Sequence, residues 1–129
     1  MVAADMCEGM VIRRLTILVF PEVHRTWTAR GLEHDLAAEG RTIESAVDTL
    51  LKIVSAHVDY DRRHNREPLS AFAGAPALYW SAFTRGTPLS IPMNVDWLDG
   101  RLPAQIVAAV VPQHPAIRSL PLPQVAHIA

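Results

Sequence analysis

The chain has 129 residues, half of them hydrophobic, and a net charge of −1. That is the length of one domain, with enough apolar material for a core and no global charge to draw it to nucleic acid or anionic membrane. Cys7 is the single cysteine, which excludes an intrachain disulfide and a thiolate metal cluster.

Val11 to Phe20 is rich in β-branched residues, interrupted by Arg13 and Arg14, and predicts a first strand. The segment before it carries Asp5 and Glu8 and lacks the basic-then-apolar order of a signal peptide. Met10, just ahead of the pattern, is an alternative start to Met1. The apolar stretches Leu15–Pro21 and Ile106–Pro112 are too short to span a bilayer, so the expected location is cytoplasmic, with no membrane partner.

Pro21 ends the strand because it cannot donate to a sheet ladder, and residues 21–25 have hairpin-connection length. Thr26 to Leu32 reads as a second strand. Alternation sends Trp27, Ala29 and Gly31 to one face and Thr28, Arg30 and Leu32 to the other. Asp35 to Glu39 forms a third short strand, with Gly40 as the turn after it. Thr42 is a suitable N-cap, and Glu44 places negative charge at the positive end of the helix dipole. Ile43, Ala46/Val47, Leu50/Leu51, Val54 and His57/Val58 then follow the spacing of one buried helical face, running to about Asp61. Asp48 and Lys52 form an i,i+4 pair on the other face. Arg62, Arg63, His64 and Arg66 follow where cations suit the helix C-terminus.

Nine of the ten prolines lie from Pro68 onward. Pro76 starts a short helix over Ala77–Arg85, closed by Gly86. Pro88, Pro92 and Pro103 punctuate an irregular connection around Trp97. Gln105 to Val111 predicts a last strand, and residues 112–129 an extended tail. The chain divides into a core over 10–66, an extension over 67–111 and the tail over 112–129.

Few residues here point to chemistry. Glu33, Asp35 and Glu39, with Asp48 behind them, are the carboxylates that a Mg²⁺ site would draw on. They share a face only if the strand runs unbroken through a turn, and solvated turn acids account for them. The six histidines show no ligand spacing, and His57 fits a partly buried helix face. His34 beside Asp35 has no nucleophile to serve, and Ser81 lacks a nucleophile-elbow context. No phosphate loop occurs. The sequence therefore assigns no catalytic, cofactor or metal residue and no cofactor. Arg62, Arg63 and Arg66 are the candidate RNA contacts, with a helix end and solvated turn as the plainer reading. Tyr79, Trp80 and Phe83 have the spacing to pack a short helix onto the sheet, with base stacking as the alternative.

One ordered set of words resembles the HicB family of antitoxin-like proteins. Trp27 and Ala29 stand where that family has an aromatic and a small residue in its second strand. Leu32-Glu33-His34-Asp35 resembles its "LEHD" or "PELPG"-type segment, Ala38-Glu39-Gly40 its "AQG", and Thr42-Ile43-Glu44-Ser45-Ala46 its "TxEEA" helix start. The likeness covers Leu15 to Asp61. A looser echo in Pro68-Leu69, Ala75-Pro76 and Tyr79-Trp80 is similar to a longer, solitary subgroup.

The resemblance implies an α+β fold of order β-β-β-α-β, related to a partial ribonuclease-H or double-stranded-RNA-binding core. It has a three-stranded antiparallel sheet and one main amphipathic helix, here with a short second helix and a proline-rich C-terminal extension. It also implies a module that binds and occludes a small ribonuclease toxin. With no catalytic constellation in the sequence, the expected role is non-catalytic. A three-stranded sheet with a helix on one face leaves open edges, through which the chain is expected to self-associate. Many relatives add a DNA-binding module. Residues 68–129 depart from that pattern, with nine prolines and only Arg85, Arg101 and Arg118 as basic side chains. Operator DNA is accordingly not an expected partner. The alternative reading is an RNA-binding or degenerate ribonuclease-H-like domain.

Overall fold

The computed structural model describes residues 14–90 and 105–118. The fold is α+β. Its strands are β1 (Arg14–Pro21), β2 (Trp27–Gly31), β3 (Leu36–Gly40), β4 (Thr87–Leu89) and β5 (Gln105–Val110). Its helices are α1 (Ile43–Arg63), α2 (Ala77–Thr84) and a single turn, α3 (Pro115–Arg118).

The sheet is larger than the three antiparallel strands expected. Five strands lie in the order β3-β2-β1-β5-β4. β1 pairs antiparallel with β2 and parallel with β5, while β2–β3 and β4–β5 are antiparallel. The difference comes from the second half of the chain: β5 docks against the apolar β1 and brings β4 with it. Pro88 sits within β4, which the sequence presents as irregular. The strand tolerates it because β4 lies at the sheet edge, where a missing N–H costs no ladder bond. Residues 115–118 form a helical turn where an extended tail was expected, and the expected first-strand residues 11–13 lie outside the described residues.

Both faces of the sheet are covered. On one, Leu15, Ile17 and Val19 of β1, Ala29 of β2 and Ala38 of β3 meet Ala46, Leu50 and Val54 of α1. On the other, Leu18, Phe20 and Leu32 meet Tyr79 and Ala82 of α2. Alternation along β1 and β2 thus feeds two small cores, as the period of two requires. Each fully buried Leu, Ile or Phe contributes roughly 1.5–3 kcal/mol.

Helix α1 starts as its sequence dictates. The Thr42 hydroxyl accepts the Ser45 N–H at 3.0 Å, and the Ser45 hydroxyl accepts the Thr42 N–H at 3.2 Å, closing a capping box. Asp48 and Lys52 pair at 3.1 Å as expected. The helix runs to Arg63, one half-turn past the expected Asp61. Asn65, in the left-handed region at φ 58°, then reverses the chain.

Candidate functional site

The edge of the sheet at β3 is the feature with the clearest capacity to bind. Its geometry follows from the ladder. The Leu32 N–H bonds to the Thr16 carbonyl at 2.9 Å and the Glu22 N–H to the Thr26 carbonyl at 2.8 Å. Even-numbered residues of β1 and β2 therefore face each other through their backbone groups, and odd-numbered residues of β2 turn theirs to β3. The β2–β3 register opposes Ala29 with Ala38 and Gly31 with Leu36. The backbone groups of Leu36, Ala38 and Gly40 are thus spent on β2, while the N–H and C=O of Ala37 and Glu39 point outward. Nothing among the described residues pairs with them. Ala38 faces α1, whereas the Ala37 and Glu39 side chains are exposed on the opposite face. β4, at the far edge, has three residues including a proline and is the poorer template.

The acidic residues are each engaged separately. Glu33 accepts the Thr16 N–H and hydroxyl. Asp35, left-handed at φ 53°, pairs with Arg30 at 2.7 Å. Glu39 accepts from the Thr26 hydroxyl. Asp48 pairs with Lys52. Among the described residues no three His, Cys, Asp or Glu side chains gather as a metal-holding group.

A mixed polar and aromatic row crosses the α2 face. The Arg30 guanidinium lies 4.1 Å from the centre of the Tyr79 ring, a cation–π contact that ties β2 to α2. Tyr79 stacks on Phe20, which meets the His114 ring edge-on at 4.6 Å. His114 Nδ1 accepts the Ala116 N–H at 3.0 Å, capping α3, and its Nε2 lies 3.7 Å from Glu22. Each member has a structural partner. His34 differs: its Nδ1 is buried with no partner among the described residues, and burial lowers its pKa.

Two of the three candidate RNA contacts are paired locally. Arg63 binds Asp59 at 3.1 Å, and Arg66 lies 3.7 Å from Asp61 and over the Tyr60 ring at 5.3 Å. Arg62 is exposed. His64 bonds the Tyr60 carbonyl through Nδ1 at 2.9 Å, and His57 packs edge-on to Phe72 at 5.1 Å. Tyr79 and Phe83 pack against the sheet, but Trp80 and Leu78 are each 37% exposed. Ser81 serves α2, its carbonyl accepting from the Thr84 hydroxyl at 2.7 Å.

Ala37 is the residue that sequence reasoning passes over. Its binding capacity lies in its backbone; open sheet edges are expected from the sequence, but the sheet order shows which strand is outermost. Cys7 and His127 lie outside the described residues. No helix among the described residues is long and apolar enough to cross a membrane. No protein-family model, curated protein or solved structure matches this chain.

Proposed function

We propose that this chain is a non-catalytic, HicB-like interaction module that works by backbone pairing at the outer edge of β3. It self-associates there and, in the antitoxin-like role, neutralises a small ribonuclease toxin in the cytoplasm. The observation that carries the reading is the five-residue, proline-free β3 edge, with the outward N–H and C=O groups of Ala37 and Glu39. The order of β2, β3 and capped α1 also supports it, since the HicB-like words fall on those elements and on the turn between β2 and β3.

The RNA-binding reading, with Arg62, Arg63 and Arg66 as contacts, is less favoured because Arg63 and Arg66 are already paired. Size-exclusion chromatography with light scattering tests the proposal, on the protein alone and co-expressed with any small basic protein encoded beside it. The expected result is an assembly in at least one arm. A strict monomer at hundreds of micromolar that retains no such protein contradicts it. RNA affinity lost on replacing the three arginines with alanine moves the function to the alternative.

A further inference from the structure

We infer that β3 pairs with β3 of a second copy of this chain, antiparallel about a two-fold axis through Ala38. Ala37 of each copy then lies opposite Glu39 of the other. The inference rests on the proposed role of the edge and names its occupant.

The register follows from which backbone groups are free. A two-fold strand pair must bring outward-facing residues opposite outward-facing residues. On β3 these are Ala37 and Glu39, which leaves three registers. Centring on Ala37 leaves the outward groups of each Glu39 opposite Asp35, a left-handed turn residue ahead of the strand, so only the central Ala37 pair closes. Centring on Glu39 sets the two Glu39 side chains against each other. Centring on Ala38 opposes Ala37 with Glu39 twice, so all four outward N–H groups and carbonyls find partners and no like charges meet. Beyond the strand ends, the same register brings the exposed Arg41 of one copy toward the turn that holds Asp35 of the other, where opposite charges meet although Asp35 also pairs with Arg30. The far edge offers no equal alternative, because β4 is short and Pro88 has no N–H. Ala37 and Glu39 project from the face opposite α1, so the pairing demands no change in the α1 core.

Sedimentation equilibrium on the full chain and on variants at position 37 tests the register. Ala37→Pro removes an outward donor while sparing the β2 ladder, and should weaken the dimer at least tenfold. Ala37→Glu places like charges opposite each other twice and should weaken it about twofold to thirtyfold. Ala37→Lys should tighten it over a similar range, and Ala37→Glu with Glu39→Lys should restore the affinity lost in Ala37→Glu. The opposite signs of the Glu and Lys variants separate an interface effect from loss of folding, which circular dichroism melting checks in each case. A dimer indifferent to Ala37→Pro, or weakened equally by Ala37→Glu and Ala37→Lys, overturns this register and leaves the interaction role standing. A wild-type monomer that also retains no encoded neighbour overturns both.

Discussion

Glu33 takes the place of the Leu32 carbonyl opposite Thr16. The Thr16 carbonyl accepts the Leu32 N–H at 2.9 Å, and the reciprocal bond would run from the Thr16 N–H to the Leu32 carbonyl. Instead the Thr16 N–H donates to Glu33 Oε1 at 2.7 Å and its hydroxyl to Oε2 at 2.6 Å. The Leu32 carbonyl is released to accept the Ala75 N–H at 2.8 Å. One carboxylate thereby closes the β1–β2 ladder and lets the chain leading into α2 dock on the sheet.

Glu33→Ala strands a buried N–H and a buried hydroxyl, and Thr16 is wholly buried. An unsatisfied buried donor costs about 1–3 kcal/mol, so a loss of about 2–3 kcal/mol is expected. Urea unfolding should show a lower midpoint at unchanged slope. Glu33→Gln, which keeps one acceptor for the N–H, should recover part of it.

Asp61 holds the turn that follows α1. Its side chain is buried and accepts the Leu69 N–H at 2.7 Å, and its carbonyl accepts the Arg66 N–H at 2.8 Å. Leu69 is itself fully buried in the left-handed region, at φ 62°, a conformation a branched side chain adopts only when held there. Asp61→Ala should cost about 2 kcal/mol or more and raise amide exchange at Leu69 before the sheet opens. Arg66→Ala, which removes a long ion pair to Asp61 and the contact over the exposed Tyr60 ring, should cost about 1 kcal/mol or less. Equal losses in the two variants would contradict this division.

Gly40 is required by contact with the start of α1. A Cβ there would lie 2.6 Å from the Ala46 nitrogen and closer still to Ser45 Oγ. Gly40→Ala should destabilise by about 1–3 kcal/mol through displacement of β3 or the helix N-terminus. Adding Ser45→Ala should not rescue it, because the obstructing backbone nitrogen remains. Thermal melts of the single and double variants decide the matter.

His34 gives the fold an acid sensitivity. Burial lowers its pKa, against a smaller upward pull from Glu33. The unfolded chain takes up the proton near 6.5, and the folded chain only at lower pH. The His34 contribution to stability is therefore full above that value and is lost as pH falls below it. Its ring protons should titrate below 6.5 by NMR, and His34→Phe should flatten the fall in stability between neutral pH and pH 5. A slope unchanged in His34→Phe would assign the sensitivity elsewhere.

Local chemistry was legible in the sequence where it is decided by neighbours along the chain. The Thr42 cap, the α1 face, the Asp48–Lys52 pair, the 21–25 hairpin and the Gly86 end of α2 all depend on contacts a few residues apart. Gly86 also does more than end a helix, since a Cβ there would lie 2.8 Å from Ala109 of β5. The parallel β1–β5 pairing joins Arg14 to Gln105 and no local period encodes it. β4 was hidden by Pro88, an edge residue whose surroundings only the sheet order defines. The acids of the 33–39 segment read as turn residues. Glu33 is instead a ladder residue, and the signal for it, a threonine inside the apolar first strand, has meaning only once the two are opposite.

Pairing at the β3 edge has a direct signature in its two outward amides. Amide exchange at Ala37 and Glu39, followed by NMR across a dilution series, tests it most directly. Their outward N–H groups should be protected at hundreds of micromolar and exchange freely on dilution, while Ala38, bonded to β2, stays protected throughout. Fast exchange at Ala37 and Glu39 at every concentration, with or without an encoded protein neighbour, would contradict the account.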